Sequence, residues 1–206
     1  MIASLWRTPF PHQKIALQKR SHPVFDLLTG FVSVVICFVF AFAVVNYVIG
    51  PIQSRLVGEG VIASLIFLPH GVRLLSTWLL RGQAVLPLAI GEAVSTFYIW
   101  QPDFPPHAVV LASIVGGSCC YILLEGFRML GVDLYPSDIA MPDWKALIMI
   151  AGLSSFINAI GHGLAYAQTY SSLQEILQIV FFVLGDTTGT VCLMFLLLFA
   201  MRYLRQ

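Results

Sequence analysis

Phe67-Leu-Pro-His-Gly-Val-Arg73 sets a proline, a histidine, a glycine and an arginine in the middle of the apolar run Val61–Leu80, and this conjunction decides how the chain folds. An arginine at the centre of a membrane helix costs about 2.5–3.5 kcal/mol on insertion scales, so it turns inward and takes a partner from a neighbouring helix. A second apolar run supplies a counterpart, Gly185-Asp-Thr-Thr-Gly189. Two such runs imply an all-α, polytopic helix bundle with a polar interior.

Composition agrees. The 206 residues are 58% hydrophobic and 10% charged, with a mean hydropathy of +0.87, against roughly 25% charged in an ordinary soluble domain. Six runs approach the roughly 20 residues that a crossing requires: Leu27–Gly50, Val61–Leu80, Gln83–Trp100, His107–Phe127, Trp144–Ala165 and Leu173–Leu204. The alternating ten-residue segments of a β-barrel are absent. Residues 27–206 read as one six-helix domain, and residues 1–26 as a basic cytoplasmic arm. That arm is too Pro-rich, and too poor in small residues after an apolar core, to be a removable signal peptide.

Orientation follows from the cations. With both termini cytoplasmic, nine of the eleven Lys and Arg residues fall inside: Arg7, Lys14, Lys19, Arg20, Arg81, Arg128, Lys145, Arg202 and Arg205; only Arg55 falls outside. This is the positive-inside pattern of a bacterial inner-membrane protein. The connections expected outside are Pro51–Gly60 and Gln101–Pro106. The longest inner loop, Arg128–Asp143, is acidic and has room for a short surface helix.

Pro69 removes a backbone donor, so the second run is expected to kink or open around Leu65–Pro69. His70, Arg73 and Thr77 then share one helical face. Glu92 and Asp186 lie at similar expected depths, and either is a candidate partner for Arg73. The remaining acid would share the guanidinium, take a proton, or bind something. In the fifth run, Ala151, Ser155, Ala159 and Gly163 form a small-residue packing seam. Beside it lie Ser154, Asn158 and His162, of which Asn158 and His162 are candidates for a pocket open to the outer side. Gly185 and Gly189, with Thr187 between them, form a further small-xxx-small contact, and the last run has length enough to be interrupted near Gly185. Glu125 is expected at the inner interface.

Cys37, Cys119, Cys120 and Cys192 all lie within runs and lack metal-ligand spacing, so they read as packing residues. No hydrolase, metalloprotease or nucleotide-binding motif is present, the two halves show no repeat, and a net charge of +1 offers no nucleic-acid surface. The chain therefore reads as a non-enzyme, with no cofactor assigned. Its expected partners are the lipid bilayer, another membrane or cytoplasmic protein, and a small polar ligand.

The motif Leu68-Pro69-His70-Gly71, followed in a late run by Gly185-Asp186-x-x-Gly189, resembles the first-described class of MASE-type membrane-associated sensor domains. Those domains are usually input modules for kinases or cyclases. The resemblance implies a stand-alone sensory module that acts through a partner, with Pro69, Gly71, Gly185, Asp186 and Gly189 as motif positions. Two other readings use the same polar residues: the substrate-capture component of an energy-coupling-factor-like uptake transporter, and an assembly subunit of a larger membrane complex.

Overall fold

A computed structural model describes residues 23–57, 64–100, 105–136, 144–166 and 172–204. The basic arm therefore lies almost entirely outside the described residues. Within them the chain is helical throughout, with no strand. Five helical stretches are long and apolar enough to cross a bilayer: Asp26–Leu56, Leu68–Trp100, Pro106–Met129, Trp144–Ala165 and Ile179–Leu204.

Helix α1 (Pro23–Val44) opens on a proline and carries Asp26 in its first turn, both suited to an N-terminus. It runs through a wide turn at Val45–Ile49 into α2 (Gly50–Val57), where a connection is expected from the sequence. The Gly50 N–H reaches back five residues to the Val45 carbonyl. Widening the ladder here accommodates Pro51, which has no N–H and whose ring crowds the carbonyl one turn back.

Residues 64–67 are not helical, and α3 (Leu68–Leu80) begins where Pro69 fits the first turn. The second apolar run is therefore a helix that starts late, rather than a continuous helix with a kink. At its far end Arg81 adopts φ 55°, ψ −137°, a conformation strained for any residue with a side chain. A tight turn at Arg81–Ala84 leads into α4 (Val85–Ser95), which ends in a wide turn, Thr96–Trp100. The stretch Leu68–Trp100 folds back on itself. In one straight helix residues 73 and 92 would be about 28 Å apart, yet their side chains meet at 2.7 Å. Gly82 lets the turn lie on Tyr121, to which an added Cβ would approach within 3.3 Å, and the Arg81 guanidinium stacks 4.6 Å over the Tyr135 ring.

Helix α5 (Pro106–Met129) also starts on a proline. It ends at Gly131, whose φ of 88° allows the Gly131 and Val132 N–H groups to turn back onto Arg128 and Phe127. Residues 130–136 form no helix; they fold under α3, where Leu134 O accepts from Trp78 Nε1 at 2.8 Å. The rest of the acidic loop, residues 137–143, lies outside the described residues. Helices α6 (Trp144–Ala165) and α7 (Ser172–Leu204) complete the bundle. With 33 residues, α7 is about 50 Å long, and it continues unbroken through Gly185, where an interruption is expected from the sequence.

The packing is a ring. α1 lies on α4, α4 on α5, α5 on α6, α6 on α7, α7 on α3 and α3 on α1, while α3 also leans inward onto α5 and α6. Helix α3 is accordingly buried around its circumference from Leu68 to Leu74, and it is the helix that carries His70, Arg73 and Thr77. Apolar side chains point outward instead, including Leu28, Ile36 and Phe40 of α1 and Phe195, Leu198 and Phe199 of α7. Such an inverted surface suits hydrocarbon solvent.

The 64–67 segment is clasped by α7. Phe67 N–H donates to Gly185 O at 2.9 Å, and Thr188 Oγ1 donates to Leu65 O. A Cβ on Gly185 would run into the Ser64 carbonyl, and one on Gly189 into the Phe67 backbone. Backbone cannot give way as a side-chain tip can. Gly185→Ala and Gly189→Ala are therefore each expected to destabilise the purified protein by about 1–3 kcal/mol or more, lowering its unfolding temperature in a detergent melt. Gly163→Ala and Gly126→Ala, whose added methyls meet nothing within 4 Å, should leave that temperature unchanged or raise it; equal losses at all four positions would refute the clasp.

Candidate functional site

Burying α3 on all sides brings its polar face against four neighbours. Arg73 Nη2 lies 2.7 Å from Glu92 Oε1 on α4, with the two side chains only 1% and 4% exposed. The guanidinium stacks 5.3 Å from the Phe38 ring centroid on one side and 5.8 Å from that of Phe67 on the other. His162 Nε2 of α6 approaches the same Glu92 oxygen at 3.2 Å. Room for this pair comes from Gly116 on α5, where a Cβ would collide with the Glu92 carboxylate and come within 2.8 Å of Arg73 Nη2.

The second couple is separate. Asp186 Oδ2 accepts from Asn158 Nδ2 at 3.2 Å and lies 3.1 Å from His70 Nδ1. On its other edge His70 Nε2 lies 3.0 Å from Ser154 Oγ and 3.2 Å from Ala151 O. Ser154 Oγ itself donates to Ala151 O at 3.1 Å. With that hydroxyl proton committed, and a carbonyl able only to accept, Nε2 carries hydrogen and donates. A bare Nδ1 would then face a carboxylate lone pair to lone pair. One proton must therefore lie between Asp186 and His70, on either partner, and the couple carries no net charge in either form.

Of the two candidate partners for Arg73, Glu92 takes the ion pair and Asp186 goes to His70 and Asn158. The remaining acid is accounted for by a histidine, one of the polar residues on the Arg73 face. Asn158 and His162, read from the sequence as a separate outer pocket, join the intramembrane network: each touches one of the two carboxylates. The packing positions have distinct places. Pro69 sits in the first turn of α3. Gly71 faces Thr190 and Leu193 of α7, Gly185 and Gly189 clasp residues 64–67, and Gly152 faces Thr187. Thr187 Oγ1 caps the Val183 carbonyl of its own helix. Glu125 pairs with Arg128 at 3.3 Å on the exposed opposite face.

Above these couples lies a cavity of about 330 Å³. Arg73, Glu92, Asn158, His162 and Asp186 meet it at its floor, and Phe42, Trp100, Tyr166 and Phe182 are among its walls. Its lining comes from the C-terminal ends of α1, α4 and α6 and from the N-terminal parts of α3 and α7, so it belongs to one face of the bundle. The opposite side is closed by a packed cluster that includes Leu74, Trp78, Leu124, Leu147 and Ile150. His162 is held edge-on between Tyr166 and Phe182, at 5.8 and 5.6 Å. Sequence reasoning missed the walls. Their one legible trace is Asn46, Gly50 and Gln53, small or polar at i, i+4 and i+7 where α1 nears its end.

No family model matches the sequence, and no curated protein or solved structure is significantly similar to it. Among the described residues no group of three or more His, Cys, Asp and Glu side chains has the geometry to hold a metal ion.

The two carboxylates should respond differently to neutralisation. Glu92→Gln strands a buried guanidinium and is expected to cost about 3–5 kcal/mol, abolishing monodisperse protein on size-exclusion chromatography. Asp186→Asn only replaces one neutral couple with another, and should fold. Arg73→Leu should be rescued by Glu92→Gln in the same chain and not by Asp186→Asn; the reverse result would reassign the ion pair. Gly116→Ala, which pushes a methyl into the Arg73–Glu92 contact, should resemble Glu92→Gln in direction.

Proposed function

We propose that this chain is a membrane-embedded receptor module which takes up a small polar ligand in the cavity and reports its occupancy through a separate partner protein. The observation that carries the reading is the cavity itself: two buried charge couples at the floor of a one-sided pocket with aromatic walls. A pocket of this kind, apolar with a few convergent polar groups, is the usual form of a small-molecule site, and its size is at the small end of the range. Five helices meet there, so a ligand that draws the floor groups together biases how those helices pack. The resemblance to MASE-type sensor domains at Leu68–Gly71 and Gly185–Gly189 agrees with this role, because those positions form the late start of α3 and its clasp on α7.

The accompanying topology has six crossings, with α3 and α4 counted as two, both termini cytoplasmic and the cavity facing outward. The basic residues favour it, since Arg81, Arg128 and Lys145 all lie on the side away from the cavity. A second reading, the capture component of an uptake transporter, draws on the same outward-facing pocket.

Reporter fusions at Gln83 and after Leu204 are both expected to read cytoplasmic; an external signal at either would overturn the six-span topology. In lipid nanodiscs, a screen of small polar solutes should find at least one that raises the unfolding temperature of the full chain. Asn46→Trp, which fills the cavity from the α1 wall, should erase that gain. Cross-linking in the native host should recover a stoichiometric protein partner. Solute uptake by the reconstituted chain alone would instead establish the transport reading.

A further inference from the structure

The floor of the cavity is electrically neutral as a whole. Arg73 and Glu92 cancel each other, and Asp186 and His70 share the one proton that makes them neutral together. His162 requires no charge of its own, because the neutral tautomer with hydrogen on Nε2 satisfies its contact with Glu92. A ligand with net charge would bring an uncompensated ion into a desolvated site, the arrangement that low dielectric penalises most.

Neutral does not mean indifferent. Several buried floor atoms have no hydrogen-bond partner among the described residues, and they fall into two kinds. Arg73 Nε and Nη1 are donors on a full cation; Glu92 Oε2, Asp186 Oδ1 and Asn158 Oδ1 are acceptors, the first on a carboxylate that ion-pairs with Arg73. Orphaned groups in such surroundings favour any molecule that supplies the missing partners. Charged donors and acceptors form the stronger bonds when their partner is charged too. Three oxygens also match the three N–H groups of a primary ammonium.

Resting on the reading of the cavity as a ligand site, we infer that the ligand is a small zwitterion of the amino-acid kind, its carboxylate received by Arg73 and its ammonium by Glu92, Asp186 and Asn158. Its apolar side chain lies among Phe42, Trp100, Tyr166 and Phe182. Bound in this way it adds both polarities to the floor and no net charge, and the aromatic walls select an apolar substituent over a polar one.

The test uses the full chain in nanodiscs and four probes that share one side chain: L-phenylalanine, phenylethylamine, 3-phenylpropanoate and the uncharged alcohol 3-phenylpropanol, measured by calorimetry. L-Phenylalanine is expected to bind roughly tenfold or more tightly than each of the other three. L-Aspartate, zwitterionic at its backbone but with a second carboxylate, should bind at least roughly tenfold more weakly than L-phenylalanine. In Asn158→Leu, which removes one acceptor and leaves both charge couples in place, the preference for the amino acid over phenylethylamine should change while the order of the uncharged probe does not. Tighter binding of the amine, the acid or the alcohol overturns the zwitterion inference and leaves the ligand-site reading intact. Absence of binding by all the probes overturns the inference, and the solute screen then decides the site reading separately.

Discussion

A guanidinium cannot be left alone in hydrocarbon, and the architecture of this bundle follows from placing one at its centre. Arg73 needs a counter-ion within reach, and the chain supplies it by reversing at Arg81, so that α4 returns alongside α3 and delivers Glu92. The reversal involves a strained backbone at Arg81, offset by the stack on Tyr135 and the fit of Gly82 over Tyr121. Gly116 of α5 then provides the space, and Phe38 and Phe67 enclose the guanidinium faces. Removal of any one of these supports leaves a charge without its environment.

The same helix explains the clasp at its start. A helix that began at the membrane surface would carry Arg73 to a different depth; α3 begins late because Pro69 fits a first turn and disfavours helix before it. That leaves residues 64–67 with exposed backbone polar groups, which in hydrocarbon must be satisfied by protein. Helix α7 meets the need with Gly185, Thr188 and Gly189, so that its backbone and one hydroxyl lie directly against the extended segment. Asp186, between the two glycines, is thereby turned toward His70. Charge pairing and glycine packing are two uses of one short motif.

Much of this could be read in the sequence, and the remainder could not for identifiable reasons. His70, Arg73, Glu92, Asp186, Asn158 and His162 stand out because polar groups in apolar runs are costly. Which acid belonged to which cation was beyond reach, since depth counted from span ends has an error larger than the length of a side chain. The kink expected near Pro69 and the interruption expected near Gly185 both assigned irregular backbone to the wrong helix or the wrong form: a proline in the first turn starts a helix, and the glycines of α7 serve a neighbour's irregularity while their own helix stays intact. The continuation of α1 to Val57 was hidden by Pro51, which a widened turn accommodates. The aromatic walls carried no signal, because Phe, Trp and Tyr are as common toward lipid as toward a cavity.

The α3–α4 turn has one further consequence. Both members of the Arg73–Glu92 couple ride on a single hairpin, and Asp186 and His70 cancel each other across the α3–α7 contact. A membrane potential acts on net charge displaced along its axis, at about 2.3 kcal/mol per elementary charge per 100 mV. When α3 and α4 shift together, plus and minus travel the same distance and the electrical work cancels. The interior of this protein is rich in ions and yet electrically silent: movements at its centre are decoupled from the voltage of the membrane around it.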